Sequence, residues 1–157
     1  MKRNTKGTFL VSCFRLSSFF ASNKLLKLIG FPIRILYKIF IEWFIGMEIP
    51  DETRIGRNFT VYHGLGIVIN KDAIIGNNVV IRQNTTIGNA KENGGSPKIE
   101  DNVQIGANSV IIGEIRIGRN SIIGAGSVVV HDVEDFVIVA GNPARIIKYS
   151  HNKIDQV

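Results

Sequence analysis

Between residues 49 and 129 the apolar positions recur mainly at intervals of six, a period that belongs to neither an α-helix nor a simple alternating strand. Aliphatic residues stand at Ile49, Ile55 and Val61, then at Ile69, Ile75, Ile81 and Ile87. They resume at Ile99, Ile105, Ile111, Ile117, Ile123 and Val129. Four residues after such positions come Thr53, Ala73, Val79, Thr85, Val103, Ser109, Ser121 and Ser127, mostly small. Glycine follows the aliphatic residue directly at Gly56, Gly76, Gly88, Gly106, Gly118 and Gly124. Repetition at a short fixed period is the mark of a solenoid. A triangular coil accounts for the sixes, with one short strand per hexapeptide and three sides per turn. The aliphatic residue points into the narrow interior, the small residue sits at a crowded corner, and Gly or Asn supplies the backbone freedom of the turn. The pattern therefore predicts an all-β fold, a left-handed parallel β-helix of about four coils, wound against the usual right-handed rule for parallel crossovers.

Upstream the period changes. Residues 32–46 read as an amphipathic helix, with Pro32 acceptable at its first position and Gly46 able to end it. Arg34, Lys38 and Glu42 share one face, opposite a broad apolar face of Ile35, Leu36, Ile39, Phe40, Trp43 and Phe44. That apolar face is expected either to pack on the body or a neighbouring subunit, or to lie in the plane of a membrane. The chain thus divides into a basic, apolar helical segment over 1–48, a β-helix over 49–148 carrying a loop at 88–98, and a C-terminal tail over 149–157.

Composition sharpens this division. An apolar content of 45% against 20% charged residues argues against disorder, and 157 residues suit one domain. Residues 1–50 hold eight Lys/Arg against two Asp/Glu, whereas residues 51–157 hold eleven of each, so the net charge of +6 lies entirely in the first third. A basic, apolar segment on a neutral body suggests peripheral contact of residues 1–46 with an anionic membrane surface. Nucleic acid is not an expected partner, since no basic stripe with interleaved aromatics continues into the body. The single cysteine, Cys13, forms no internal disulfide and suits a reducing cytoplasm. Neither a Cys pair nor a Cys/His cluster offers a metal site. Met1–Ser22 opens like a signal peptide, but Arg15 cuts its apolar run short. Lys24, Lys27, Arg34, Lys38 and Glu42 interrupt every candidate spanning window. The expected location is cytoplasmic, with the inner face of the plasma membrane as a place of attachment.

The hexads break register twice. Val61 and Ile69 are eight residues apart, so two extra residues bulge out near His63-Gly64-Leu65-Gly66. Between Ile87 and Ile99 no aliphatic residue stands at position 93, so 88–98 should leave the coil as an exposed loop. Irregularities on a rigid solenoid are where function collects. His63 is the candidate general base, a role that needs a near-neutral pKa and a partner to fix its tautomer. Glu48, fifteen residues earlier, is slightly less than one coil away and is the candidate partner. His131 and His151 lack such a setting and read as surface residues.

Gly46-Met47-Glu48-Ile49, Thr53 through Gly64 and Val68-Ile69-Asn70-Lys71 resemble the acetyltransferases of colanic acid biosynthesis, which are themselves similar to serine acetyltransferases. The resemblance covers roughly residues 30–148. It implies a homotrimer with acetyl-CoA lying in a groove between neighbouring β-helices, and no metal. His63 matches the family's catalytic base, and Glu48 falls where the serine enzymes carry the aspartate that pairs with it. Ala107 and Ala125 match the small positions beside the pantetheine arm. Gly141 through Arg145 resembles the turn closing the cofactor groove, and Lys148 is expected to meet a CoA phosphate. Gly88 and Asn89, at the start of the loop, are further expected cofactor contacts, with a backbone N–H there as a candidate oxyanion donor.

Two departures bear on the acceptor. The serine enzymes carry an aspartate where this chain has Tyr62, and a histidine where it has Ser96; both groups hold the amino acid. Their large helical N-terminal domain also has no counterpart here. A free serine's ammonium would lack its carboxylate partner at Tyr62, whereas a sugar hydroxyl needs none and Tyr62 can stack on a pyranose. The expected reaction is O-acetylation of a saccharide, lipid-linked or not, in capsule or exopolysaccharide synthesis. Serine O-acetylation and N-acetylation of an amino sugar are the nearest alternatives. A non-catalytic scaffold would bind no CoA. A zinc carbonic anhydrase of this fold would need three converging histidines, and His63, His131 and His151 are too many coils apart.

Overall fold

The computed structural model describes residues 4–149. Its body is the left-handed parallel β-helix that the hexads predict, with three sheets as the sides of a triangular prism. The first side stacks β1 (Met47–Glu48), β4 (Ile67–Ile69), β7 (Thr86–Gly88), β10 (Val110–Ile112) and β13 (Val128–Val129). The second stacks β2 (Arg54–Ile55), β5 (Ile74–Ile75), β8 (Lys98–Ile99) and β11 (Arg116–Ile117), extended by a bridge from Ile117 to Val133. The third stacks β3 (Thr60–Val61), β6 (Val80–Ile81), β9 (Gln104–Ile105), β12 (Ile122–Ile123) and β14 (Val137–Gly141). A last strand, β15 (Ala144–Tyr149), folds back antiparallel on β14. The first side has five strands, so there is one coil more than the hexad count predicts. The last turn is closed by Val133 and β14, which abandon the six-residue spacing. The first strand also begins at Met47, inside the segment that composition assigns to the helices.

Inside the prism the sequence pattern becomes packing. Ile69, Ile87, Ile111 and Val129 line the first side, Ile75, Ile99 and Ile117 the second, and Ile81, Ile105 and Ile123 the third, all buried. Each such side chain contributes about 1.5–3 kcal/mol of transfer free energy. All eight small corner residues are buried too. Their hydroxyls do not go unpaired as a class: Ser109, Ser121 and Ser127 donate to the carbonyls of Gly106, Gly118 and Gly124.

The glycines have a different reason than the one predicted. The left-handed turn is made two residues later, by Asn58, Asn78, Asn102 and Asn120 at φ 54 to 61°. Gly76 is not in that conformation; it is glycine because a Cβ there would come within 2.8 Å of the Glu100 backbone in the next coil. Gly106 likewise faces the backbone of Ala125. Close stacking of coils, not turn geometry, excludes a side chain there.

Four helical segments precede the prism: α1 (Thr5–Ala21), α2 (Lys24–Ile29), α3 (Phe31–Tyr37) and a π-helical continuation, Lys38–Phe44. They close its open end. In every interior coil a carbonyl on each side accepts an N–H from the coil before, as Ile75 does from Gly56 and Ile81 from Tyr62. The first coil has no predecessor. Side chains substitute for it: the Tyr37 hydroxyl donates to Ile49 O at 2.7 Å, Arg15 Nη1 to Ile55 O at 2.7 Å, and Asn4 Nδ2 to Val61 O at 2.7 Å. One donor serves each side, so no row of acceptors is left unpaired. Leu10 and Phe14 of α1 are buried with the first-coil core.

The helix predicted over 32–46 is present as α3 and its continuation, but it is turned over. Tyr37 and Ile41, which belong to the charged face, are its buried residues. Arg34 of that face clamps Asp51 through Nε at 2.7 Å and Nη2 at 3.0 Å, with Ser17 Oγ donating to the same carboxylate. The apolar face does not pack on the body: Ile35, Leu36, Ile39, Phe40, Trp43 and Phe44 are all exposed. The donor geometry decides this, because the first-coil acceptors reward a face carrying Arg34 and Tyr37 over a purely apolar one.

Burial alone would raise the Asp51 carboxyl, but the hydrogen bonds from Arg34 and Ser17 hold it below the usual carboxylate range. The stability this linkage contributes is present above the unfolded value of about 3.9 and is lost as pH falls through the lower folded value. Asp51→Asn should therefore flatten the acid limb of a CD-monitored stability curve below about pH 4, relative to the parent.

Candidate active site

His63 lies in the two-residue insertion between β3 and β4, at the corner joining the third side to the first. Neighbouring coils pass this corner through a left-handed residue, at Gly46, Gly66, Asn84, Asn108 and Gly126. Gly66 N–H donates to Gly46 O and Asn84 N–H to Leu65 O, so the column is continuous through the bulge. His63 and Gly64 are the extra residues, themselves at φ 69° and 76°. A histidine in that conformation is uncommon. Here it is held outside the prism, exposed, while the Leu10 side chain packs beneath Gly64.

Glu48 flanks the same corner from the other direction. It is exposed on β1 and pairs in register with Val68 one coil on. No hydrogen bond or ion pair between Glu48 and His63 is formed among the described residues. Glu48 instead lines a cavity of about 640 Å³ beneath α3, together with Glu42, Trp43, Asp51, Phe31 and Lys71. Burial pushes the Glu42 carboxyl up in that cavity, with Asp51 and Glu48 adding to the shift and Lys38 opposing it. His63 is not part of its wall.

The remaining candidates separate along the two edges of the first side. Tyr62, Ala107 and Ala125 share the His63 corner, on the first, third and fourth coils, and the two alanines leave its upper half without bulk. Arg82 was not legible as a site residue; its guanidinium lies 5.2 Å from the Tyr62 ring centroid. Its signal was one-coil spacing, since Val61 pairs with Ile81 and the next residues must stack. Gly88, Asn89 and the loop carrying Ser96 lie at the opposite edge, between the first and second sides. The loop is exposed over 91–95, as expected, and Asn89 Nδ2 ties it by donating to Lys91 O at 2.6 Å. The Ser96 hydroxyl is buried and makes no hydrogen bond. Arg145 and Lys148 are exposed on β15, opposite Ala140 and Ile138. The candidates thus lie at two edges of the first side, His63 at one and the loop at the other.

Among the described residues no three His, Cys, Asp or Glu converge as a metal-binding group, and no helix is long and apolar enough to cross a membrane. His131 is exposed at a corner of the last coil, and His151 lies outside the described residues.

Residues 96–131 match the bacterial transferase hexapeptide model (six repeats), and residues 48–83 match the hexapeptide repeat of succinyl-transferase. The chain is 41% identical over 125 residues to the putative colanic acid biosynthesis acetyltransferase WcaB of Escherichia coli K12, covering 79% of this chain and 77% of that one. The solved serine acetyltransferase of Neisseria gonorrhoeae superposes with a TM-score of 0.80 at 36% identity, over 94% of this chain and 56% of that one. The Brucella abortus S19 serine acetyltransferase, solved in complex with coenzyme A, gives 0.79 at 31% identity, over 92% and 57%. The chain thus spans little more than half the length of these serine enzymes. Repeat, prism and sustained identity converge: the chain belongs to the hexapeptide-repeat acetyltransferases and is an acyltransferase.

Proposed function

We propose that the chain transfers the acetyl group of acetyl-CoA to a saccharide hydroxyl, at sites shared between neighbouring subunits of a homotrimer. The separation of the candidates into two edges of one face carries this reading. A neighbouring copy that sets its loop edge against the His63 corner unites the halves, and three copies related by threefold rotation close the arrangement into a ring. The coenzyme A complex of the Brucella enzyme supports the same donor here. The pantetheine arm then runs along the column of Ala107 and Ala125 toward His63, with Arg145 and Lys148 near the upper end for its phosphates.

In this reading His63 accepts the proton of the acceptor hydroxyl while its oxygen bonds to the thioester carbonyl. Collapse of the adduct breaks the C–S bond, and the proton passes to the departing thiolate. Free thiols have pKa values of about 8.5, so the leaving group needs no strong acid. Transfer is taken as direct, and Cys13, the sole cysteine, is a poor candidate for a covalent intermediate because burial raises its thiol. Glu48 orients the imidazole once acceptor and neighbour close over the corner.

Tyr62, with Arg82 over its ring, presents no carboxylate to an ammonium group. That favours the saccharide over free serine, the alternative that the serine acetyltransferase neighbours support. Thiol release from acetyl-CoA, followed with sugars, lipid-linked oligosaccharides, amino sugars and serine, tests the choice. Turnover is expected with a sugar hydroxyl at least about tenfold faster than with serine, a transition-state difference of about 1.4 kcal/mol. Preference for serine would reject the saccharide reading.

A further inference from the structure

The inverted helix leaves an unusual surface. Leu28 of α2, Phe31 and Leu36 of α3, and Phe40, Trp43 and Phe44 of the π-helical turn all face outward, with Trp43 73% and Phe44 87% exposed. A monomeric surface rarely shows so many large apolar side chains together. Sequence economy does not require it, since the same helix spends its charged face on the protein: Arg34 on Asp51, and Tyr37 on the first-coil carbonyl.

What covers this face is decided by charge. Between residues 4 and 44 the only acidic side chain is Glu42, which is half-buried in the cavity wall. Lys24 and Lys38, on the same helical segments as the apolar residues, are exposed. Asp51 and Glu52 beside the face are already paired with Arg34 and Lys27, so a second copy docking isologously would set Lys24 and Lys38 near their own counterparts with those two carboxylates already engaged. An anionic lipid surface supplies the missing negative charge and an apolar interior, and aromatic residues rimmed by lysine suit the interface between the two.

We propose that the helical cap is an in-plane docking surface for an anionic bilayer, with the Trp43–Phe44 turn inserted among the acyl chains. Nothing in this depends on the acyl-transfer chemistry or its acceptor. The cap is at one end of the prism, so bound enzyme stands with its coils stacked away from the lipid. Phe31, Ile35 and Trp43 also line the cavity beside Glu48, which would then open close to the membrane plane.

Trp43 is the single tryptophan, so its emission reports this surface directly. The test uses the full chain with vesicles of phosphatidylcholine alone or with 30% phosphatidylglycerol (about that fraction gives a strongly anionic surface). Binding is expected on the anionic vesicles, with a blue shift, quenching by acyl-brominated lipid, and at least about tenfold weaker binding to neutral vesicles or at high salt. Leu28→Glu/Phe44→Glu, at exposed positions outside the cavity wall, should abolish binding while leaving the CD spectrum and denaturation midpoint unchanged. No binding to anionic vesicles, or binding without bromolipid quenching, would overturn the proposal. So would a parent chain that ignores lipid while the double variant lowers its mass at sedimentation equilibrium, which would make the face a protein interface.

Discussion

His63→Asn is expected to lower acetyl transfer by about 10² to 10⁴ while leaving the fold intact, the range that a positioned general base contributes. Asparagine is the informative replacement because His63 is held at φ 69°, where alanine adds backbone strain and asparagine does not. Six other left-handed corner positions among the described residues, Asn78 and Asn108 included, already carry asparagine. The variant therefore removes the imidazole and keeps the corner. Thiol release from acetyl-CoA under saturating acceptor gives the rate, and the denaturation midpoint gives the control. Turnover within threefold of the parent (less than about 0.7 kcal/mol in barrier) would remove His63 from the chemistry.

The largest effect on stability is expected at Phe14→Ala, about 3–5 kcal/mol. Phe14 is 1% exposed in the core cluster, with its ring centroid 6.4 Å from that of Tyr37. Its loss opens a cavity where the first coil has no coil below to close it. Its neighbour Arg15, which donates to Ile55 and Gly56, loses the packing that aims it. Phe19→Ala on the outer face of α1 should change stability by no more than about 0.5 kcal/mol. Urea denaturation separates the two, and equal midpoints would contradict the capping role. Because each coil contacts only its neighbours, the damage should be local. Hydrogen exchange should rise first at Gly56 and Tyr62, and last at the amides of β9 and β12.

The interior was legible because a solenoid makes every coil solve the same packing problem. Thirteen aliphatic positions and eight small ones could be read from spacing alone. The cap was not legible in the same way. Its targets are the carbonyls of Ile49, Ile55 and Val61, and a backbone acceptor leaves no trace in the side chain that carries it. A 3.6-residue period therefore leaves the apolar face of residues 32–46 open between the body, a neighbouring subunit and a membrane, and the Tyr37 hydrogen bond and the Arg34 clamp put the opposite face on the body. The fifth coil was missed because Val133 and β14 close it without hexads.

At the candidate site the eight-residue step did point to His63, and its left-handed backbone explains why two residues had to be added there. The division between the His63 edge and the loop edge was available in the sequence but unread. Counting hexads in threes from Ile49 puts the insertion after a third-side strand and the loop after a first-side strand. Arg82 was recoverable by the same count. The unpaired Ser96 hydroxyl was not, since its burial depends on how the loop folds back.

The two ends of the prism have a consequence for assembly. A stack of parallel coils is in principle a polymer with two growing ends, each able to add a further layer in register. Here one end is terminated by side-chain donors from α1 and α3, and at the other end the third side is closed by β15, whose antiparallel direction offers no matching register. In-register addition of a further layer is thereby opposed by different devices at the two poles, donated side chains on all three sides at one and a reversed strand on the third side at the other.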